Sequence, residues 1–96
     1  MPVSFSDCVR VAPDVLFRLV SDEGVLVNLN TEMYLGLNPV GARMWNVLIE
    51  ASSIQAAYEL LLKEYDVEPS KLRLDLEEFI GQLHAHQLIE TSPVAV

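Results

Sequence analysis

The stretch Gly24-Val25-Leu26-Val27-Asn28-Leu29-Asn30-Thr31-Glu32-Met33-Tyr34-Leu35-Gly36-Leu37-Asn38-Pro39-Val40-Gly41-Ala42-Arg43-Met44-Trp45 decides the fold, because its hydrophobic period changes part-way along. Up to Leu37 it reads as two short runs rich in β-branched and aromatic residues, Val25–Leu29 and Met33–Leu37, on either side of the turn Asn30-Thr31-Glu32. At Asn38-Pro39 the pattern switches to a helix. Asn is a preferred cap, and Pro fits the first helical position, where its missing donor does no harm. Val40, Met44, Val47 and Leu48 then recur at helical spacing, with Trp45 and Ile49 widening the stripe.

Working outward, Val15-Leu16-Phe17-Arg18-Leu19-Val20 reads as an earlier strand, bounded by Pro13 and by the turn Ser21-Asp22-Glu23-Gly24. Three strands joined by short turns make an antiparallel meander. Alternation puts Val25, Val27 and Leu29 on one face and Leu26 and Asn28 on the other. Both faces are apolar enough that a cover is expected on each. Downstream, Ser53 caps a second helix with Ala56, Ala57, Leu60, Leu61 and Tyr65 on its inner side, stopping near Asp66 ahead of Pro69. Ser70 caps a third, which carries Leu72, Leu76, Phe79, Ile80 and Leu83 on one stripe and His84 and His86 in its last turn. The tail Thr91–Val96 is expected to fray. The fold class is therefore α+β, winged-helix-like, with a three-stranded antiparallel sheet followed by three helices, in one domain over 1–96 with its core at about 10–90.

Charge excludes one class of function. Fourteen acidic residues against six basic give a net charge of -8, with no basic cluster. Phosphate neutralisation needs a basic face, so nucleic acid is not an expected partner; cationic segments are. A single cysteine, Cys8, rules out an intrachain disulfide and any multi-cysteine metal site. The start MPVSFSDC has no signal-peptide character, and no apolar run approaches the ~18 residues of a membrane span. The expected setting is the cytoplasm, away from membrane.

No catalytic constellation emerges. Cys8 lies in a segment without regular pattern and without a helix N-terminus to lower its pKa. His84 and His86, two apart on a helix, project to different faces, as do the adjacent Glu77 and Glu78. Asp22-Glu23-Gly24 lacks the further oxygen ligands of a calcium loop, and Gly36 and Gly41 form no phosphate cradle. Neither an enzyme nor a cofactor is expected.

Two features remain. The run Met33-Tyr34-Leu35-Gly36-Leu37 is the last strand of the meander and carries neither charge nor proline, the usual means of blunting an edge. Its unpaired backbone is open to a covering helix, to a second protomer, or to an added peptide strand. On the third helix, Leu74 falls off the core stripe among Asp75, Glu78 and small residues, where it could wall an apolar groove with an acidic lip.

Taken together, Val15–Arg18, Gly24–Leu29, Thr31–Tyr34, Leu37–Trp45 and Leu62–Val67 resemble the pyrroloquinoline quinone synthesis protein D family, the recognition element of ribosomally made peptide natural products. The resemblance spans about residues 10 to 90, and its most specific piece is Leu-Asn-x-x-Gly-x-x-x-Trp at Leu37 to Trp45. It implies a leader-peptide recognition domain. The leader of a precursor peptide would add as a strand along Met33, Tyr34, Leu35, Gly36 and Leu37, with Leu74, Asp75 and Glu78 as the opposite wall. Leu37, Asn38, Gly41 and Trp45 would be structural. The free-standing form looks most like the stand-alone recognition protein of lasso peptide clusters, whose partner is a separate cysteine-type leader peptidase. Relatives serving pyrroloquinoline quinone synthesis hand their peptide to a radical enzyme instead. A monomer or weak homodimer is expected, and a purely structural dimeric subunit is the alternative.

Overall fold

The structure is a computed structural model, and it describes residues 4–93. Five strands and three helices follow one another as β1 (Asp7–Val11), β2 (Val15–Val20), β3 (Glu23–Asn28), β4 (Tyr34–Leu37), α1 (Pro39–Glu50), α2 (Ile54–Glu64), α3 (Pro69–Ala85) and β5 (Ile89–Pro93). The expected meander is present as a three-stranded antiparallel sheet in the order β2-β3-β4. Val20 pairs directly with Glu23, so the first turn has two central residues rather than four. Ser21 supplies the left-handed backbone that this tight turn needs, with φ 58°.

Beyond the expectation, β1 and β5 form a second, two-stranded antiparallel sheet, in register from Asp7↔Pro93 to Val11↔Ile89. Cys8 is therefore in a strand, half-buried, with its Sγ 3.5 Å from the Ser92 hydroxyl. Thr91, Ser92 and Pro93 are paired rather than frayed, and 94–96 lie outside the described residues. Sequence periodicity has no means of joining two short runs at opposite ends of a chain.

The caps of α1 and α2 are as the sequence requires. Asn38 Oδ1 accepts the Gly41 N–H at 2.7 Å, and Ser53 Oγ accepts the Ala56 N–H at 3.0 Å. For α3 the cap differs: it starts at Pro69 after Glu68, and Ser70 donates to the Glu68 carboxylate at 2.9 Å instead of capping. The α3 stripe Leu72, Leu76, Phe79, Ile80 and Leu83 is buried, together with Met44, Trp45, Val47 and Leu48 of α1 and Ile54, Ala57 and Leu61 of α2. Val40 and Leu60, both expected inside, are exposed because they sit at the rims of their stripes.

Leu26, at the centre of β3, is fully buried beneath this bundle. Phe17 on β2 stacks on Trp45 with ring centroids 6.1 Å apart. That stacking explains the glycine beside it. A Cβ at Gly24 would stand 2.6 Å from Phe17 Cε1, so only a residue without a side chain fits under the ring. The other face of the sheet is not covered within the described residues. Leu16, Val20 and Tyr34 are exposed there, contrary to the expectation of a cover on both faces.

Candidate functional site

The register of the sheet assigns each backbone group of β4. β3 and β4 pair from Gly24↔Leu37 to Val27↔Tyr34, and the Asn28 N–H donates to the Met33 carbonyl at 2.8 Å. In an antiparallel ladder, residues bonded to a neighbour alternate with residues whose N–H and C=O point the opposite way. Leu35 and Leu37 therefore bond to β3, while the N–H and C=O of Tyr34 and Gly36 point out of the sheet. β4 is at the edge, so this outward row has no strand beside it among the described residues.

The five residues of the expected strand accordingly divide into three roles. Tyr34 and Gly36 present free main-chain groups; a Cβ at Gly36 would meet nothing within 4 Å, so the approach is open. Leu35 and Leu37 turn their side chains to the core face, Leu37 buried and Leu35 half-buried against the core. Met33 is already engaged: its carbonyl serves Asn28 and its N–H donates to the Thr31 hydroxyl at 3.3 Å.

The expected second wall, α3, packs on α2 and β5. One flank of α3 is occupied, since the Arg73 guanidinium lies 4.0 Å from the centre of the Phe5 ring and 5.9 Å from that of Tyr58. The opposite flank carries Asp75, Phe79 and Gln82. Asp75 is half-buried and accepts from Lys71 at 2.8 Å, which raises the Lys71 pKa above its ordinary value through that hydrogen bond. Glu78 is exposed. Leu74, nearly opposite Leu76 at about 100° per residue, points into solvent with 54% of its surface exposed. Of the three expected wall residues, Asp75 stands nearest the buried stripe and Leu74 farthest from it.

The sequence reading did not single out Asn28, which ties the β3–β4 turn to the C-terminal end of α3. It is the one buried polar residue among the described residues, at 4% exposure. Its Oδ1 accepts the N–H groups of Asn30 and Thr31 at 2.9 and 3.1 Å, and its Nδ2 donates to the Gln87 carbonyl at 2.7 Å. The turn leading into β4 is thus tied to the chain leaving α3. A polar residue on the core-facing side of β3 was the available signal.

The described residues hold no group of three or more His, Cys, Asp or Glu placed to bind a metal ion. No described helix is long and apolar enough to cross a membrane. What β4 offers is a row of outward main-chain groups beside apolar side chains.

Comparison with known families finds that residues 23–89, more than half of the chain, match the family model of coenzyme PQQ synthesis protein D, PqqD. The chain belongs to the PqqD family. Among solved structures, this PqqD-family chain is similar to TbiB1 in complex with the TbiA(beta) leader peptide. The identity is 30%, the TM-score 0.75, and the match covers 84% of this chain and 94% of that one. No curated protein matches the chain.

Proposed function

We propose that this chain is an adaptor that binds the leader of a ribosomally made precursor peptide as an added strand on β4. It presents that leader to a separate cysteine-type leader peptidase in lasso peptide biosynthesis. The observation that carries the reading is the outward backbone of Tyr34 and Gly36, in a chain 30% identical over most of its length to a protein solved with a leader peptide. An extended peptide gains affinity from those main-chain groups and specificity from alternate side chains set beside Leu35, Leu37 and the Asp75 flank of α3. The adaptor carries no chemistry of its own; holding the leader fixes where the core peptide enters the partner enzyme. The setting is the reducing cytoplasm, in keeping with a lone unpaired cysteine. The PqqD family match supports a second setting, in which the same adaptor hands its peptide to a radical enzyme of pyrroloquinoline quinone synthesis.

The test is a fluorescence-anisotropy titration against synthetic leaders encoded beside the gene, with a Gly36→Pro variant as control. The Gly36 N–H is not used by β3, so proline leaves the monomer's ladder intact and removes only a donor to the added strand. Binding near micromolar, about 8 kcal/mol, weakened about tenfold or more in the variant, is the expected result. Equal binding by both proteins would move the site off β4. Which leader binds, one beside a protease gene or one beside a radical-enzyme gene, separates the two settings.

A further inference from the structure

The sheet has a second open edge, on β2. The Leu29 N–H donates to the Asp14 carbonyl at 2.8 Å, and β2 pairs with β3 from Val15↔Asn28 to Val20↔Glu23. By the same alternation, Leu16, Arg18 and Val20 bond to β3, while the N–H and C=O groups of Val15, Phe17 and Leu19 point outward. Among the described residues β2 pairs with no strand but β3, and the β1–β5 ribbon lies against the helices instead. Leu16, Leu19 and Val20 are 45%, 59% and 65% exposed along this edge. A long, open, apolar edge is the feature that soluble proteins usually suppress.

One charge interrupts it. Arg10, Arg43, Lys71 and Arg73 sit in ion pairs, whereas Arg18, like Lys63 on α2, has no acidic partner among the described residues. Asp14, exposed in the turn that leads into β2 with φ 64°, has no basic partner among the described residues either.

We propose that the β2 edge pairs with the β2 edge of a second copy, in one antiparallel register about a two-fold axis at Leu16. In that register Val15 stands opposite Phe17 of the second copy and Phe17 opposite its Val15. These are two narrow pairs, each exchanging both main-chain bonds through exactly the groups that point outward. Leu16 meets Leu16 of the second copy on the axis. Arg18 comes level with Asp14 of the second copy, in the turn that leads into its β2, twice by symmetry, which brings each unpaired charge to its opposite. Registers one step away place Phe17 on the axis, with Arg18 opposite a leucine; two steps away they set Arg18 against Arg18. Charge therefore selects the register. The net charge of -8 on each copy opposes association. At physiological ionic strength its reach is cut to about 8 Å, whereas the Arg18–Asp14 pairs act at contact. The product is a six-stranded sheet with a free β4 edge at each end, so dimerisation and strand addition at β4 do not compete.

An interface of this length falls below the ~1,200 Å² of stable complexes, so a dissociation constant between about 10 µM and about 1 mM is expected. Sedimentation equilibrium of the full chain, taken up to about 1 mM at physiological salt, reads the mass directly. The expected result is a monomer–dimer equilibrium weakened at least tenfold by Asp14→Lys alone and by Arg18→Asp alone, both shown folded by circular dichroism. Mixing the two variants restores the dimer, because each then supplies the charge that the other lacks. Amide exchange supports the register if Val15 and Phe17 gain protection with concentration. A monomer mass at every concentration would overturn the proposal. So would a dimer indifferent to both substitutions, or single variants that stay monomeric when mixed.

Discussion

Asn28 and Gln87 are joined by a hydrogen bond of 2.7 Å that spans 59 residues of sequence and links the β3–β4 turn to the C-terminal end of α3. The same side chain also holds Asn30 and Thr31, so one residue sets the turn into β4 and its distance from α3. Replacing Asn28 by Ala strands three backbone groups. A loss of about 3 kcal/mol in unfolding free energy is expected in a urea titration. Leader affinity should fall with it even under conditions where the variant remains folded, because the two walls are no longer tied together.

Leu74 allows a cleaner separation of binding from stability. With 54% of its surface in water, a Leu74→Lys change should move the unfolding free energy by no more than about 0.5 kcal/mol. If Leu74 helps to line the groove, leader binding weakens about tenfold in an anisotropy titration. If binding is unchanged, the helical wall consists of the Asp75 flank alone.

Gly24 is fixed by packing. A methyl group there collides with Phe17, whose ring can leave only by giving up its stacking on Trp45. Gly24→Ala should cost about 1–3 kcal/mol by chemical denaturation and change the fluorescence of Trp45 in the folded state. A neutral result would mean that Phe17 has another low-energy rotamer available.

The two helices α1 and α2 are clasped by Arg43 and Glu64 through two hydrogen bonds, one of them 2.9 Å from Arg43 Nε. Donation from Arg43 holds the Glu64 carboxyl below its ordinary range, with the guanidinium charge adding to the effect and desolvation opposing it. A depressed folded pKa means that the pair stabilises at neutral pH, and that its contribution is lost as pH falls through the folded value. The pair is solvent-accessible, so the effect is small and salt-sensitive. Melting curves from about pH 7 to about pH 3 should show Arg43→Ala less stable than the parent at the upper end and converging with it at the lower. A constant gap would assign the loss to the arginine's apolar stem instead.

The legible parts of this protein were those whose signal is local. Asn38-Pro39 and Ser53 mark their helices because a cap and its helix are neighbours in sequence, and the α3 stripe is legible because Leu72, Leu76 and Leu83 repeat with the helix. The position of β4 as an edge followed from chain order, since the last strand of a meander has only one partner. What did not show was set by groups far apart. Asp7–Val11 becomes a strand only because Ile89–Pro93 lies beside it, and Asn28 is buried only because Gln87 presents a carbonyl to it. The division of Met33–Leu37 into engaged and free residues depends on register, which periodicity gives only as a face. Val40 and Leu60 show the converse limit: helical spacing places them near the stripe, and their position at its rim leaves them outside the core.

The β1–β5 ribbon has a kinetic consequence. Its pairing closes a loop that contains both the meander and all three helices, so among the described elements it is the strand pairing with the greatest chain separation. Closing so long a loop carries an entropic penalty that local hairpins and helices escape. During synthesis β1 must wait, with Phe5 and Val9 still in water, until β5 has been made and released. The bundle and the β4 edge can be assembled before the ribbon shuts, and the ribbon then acts as the latch that completes the core.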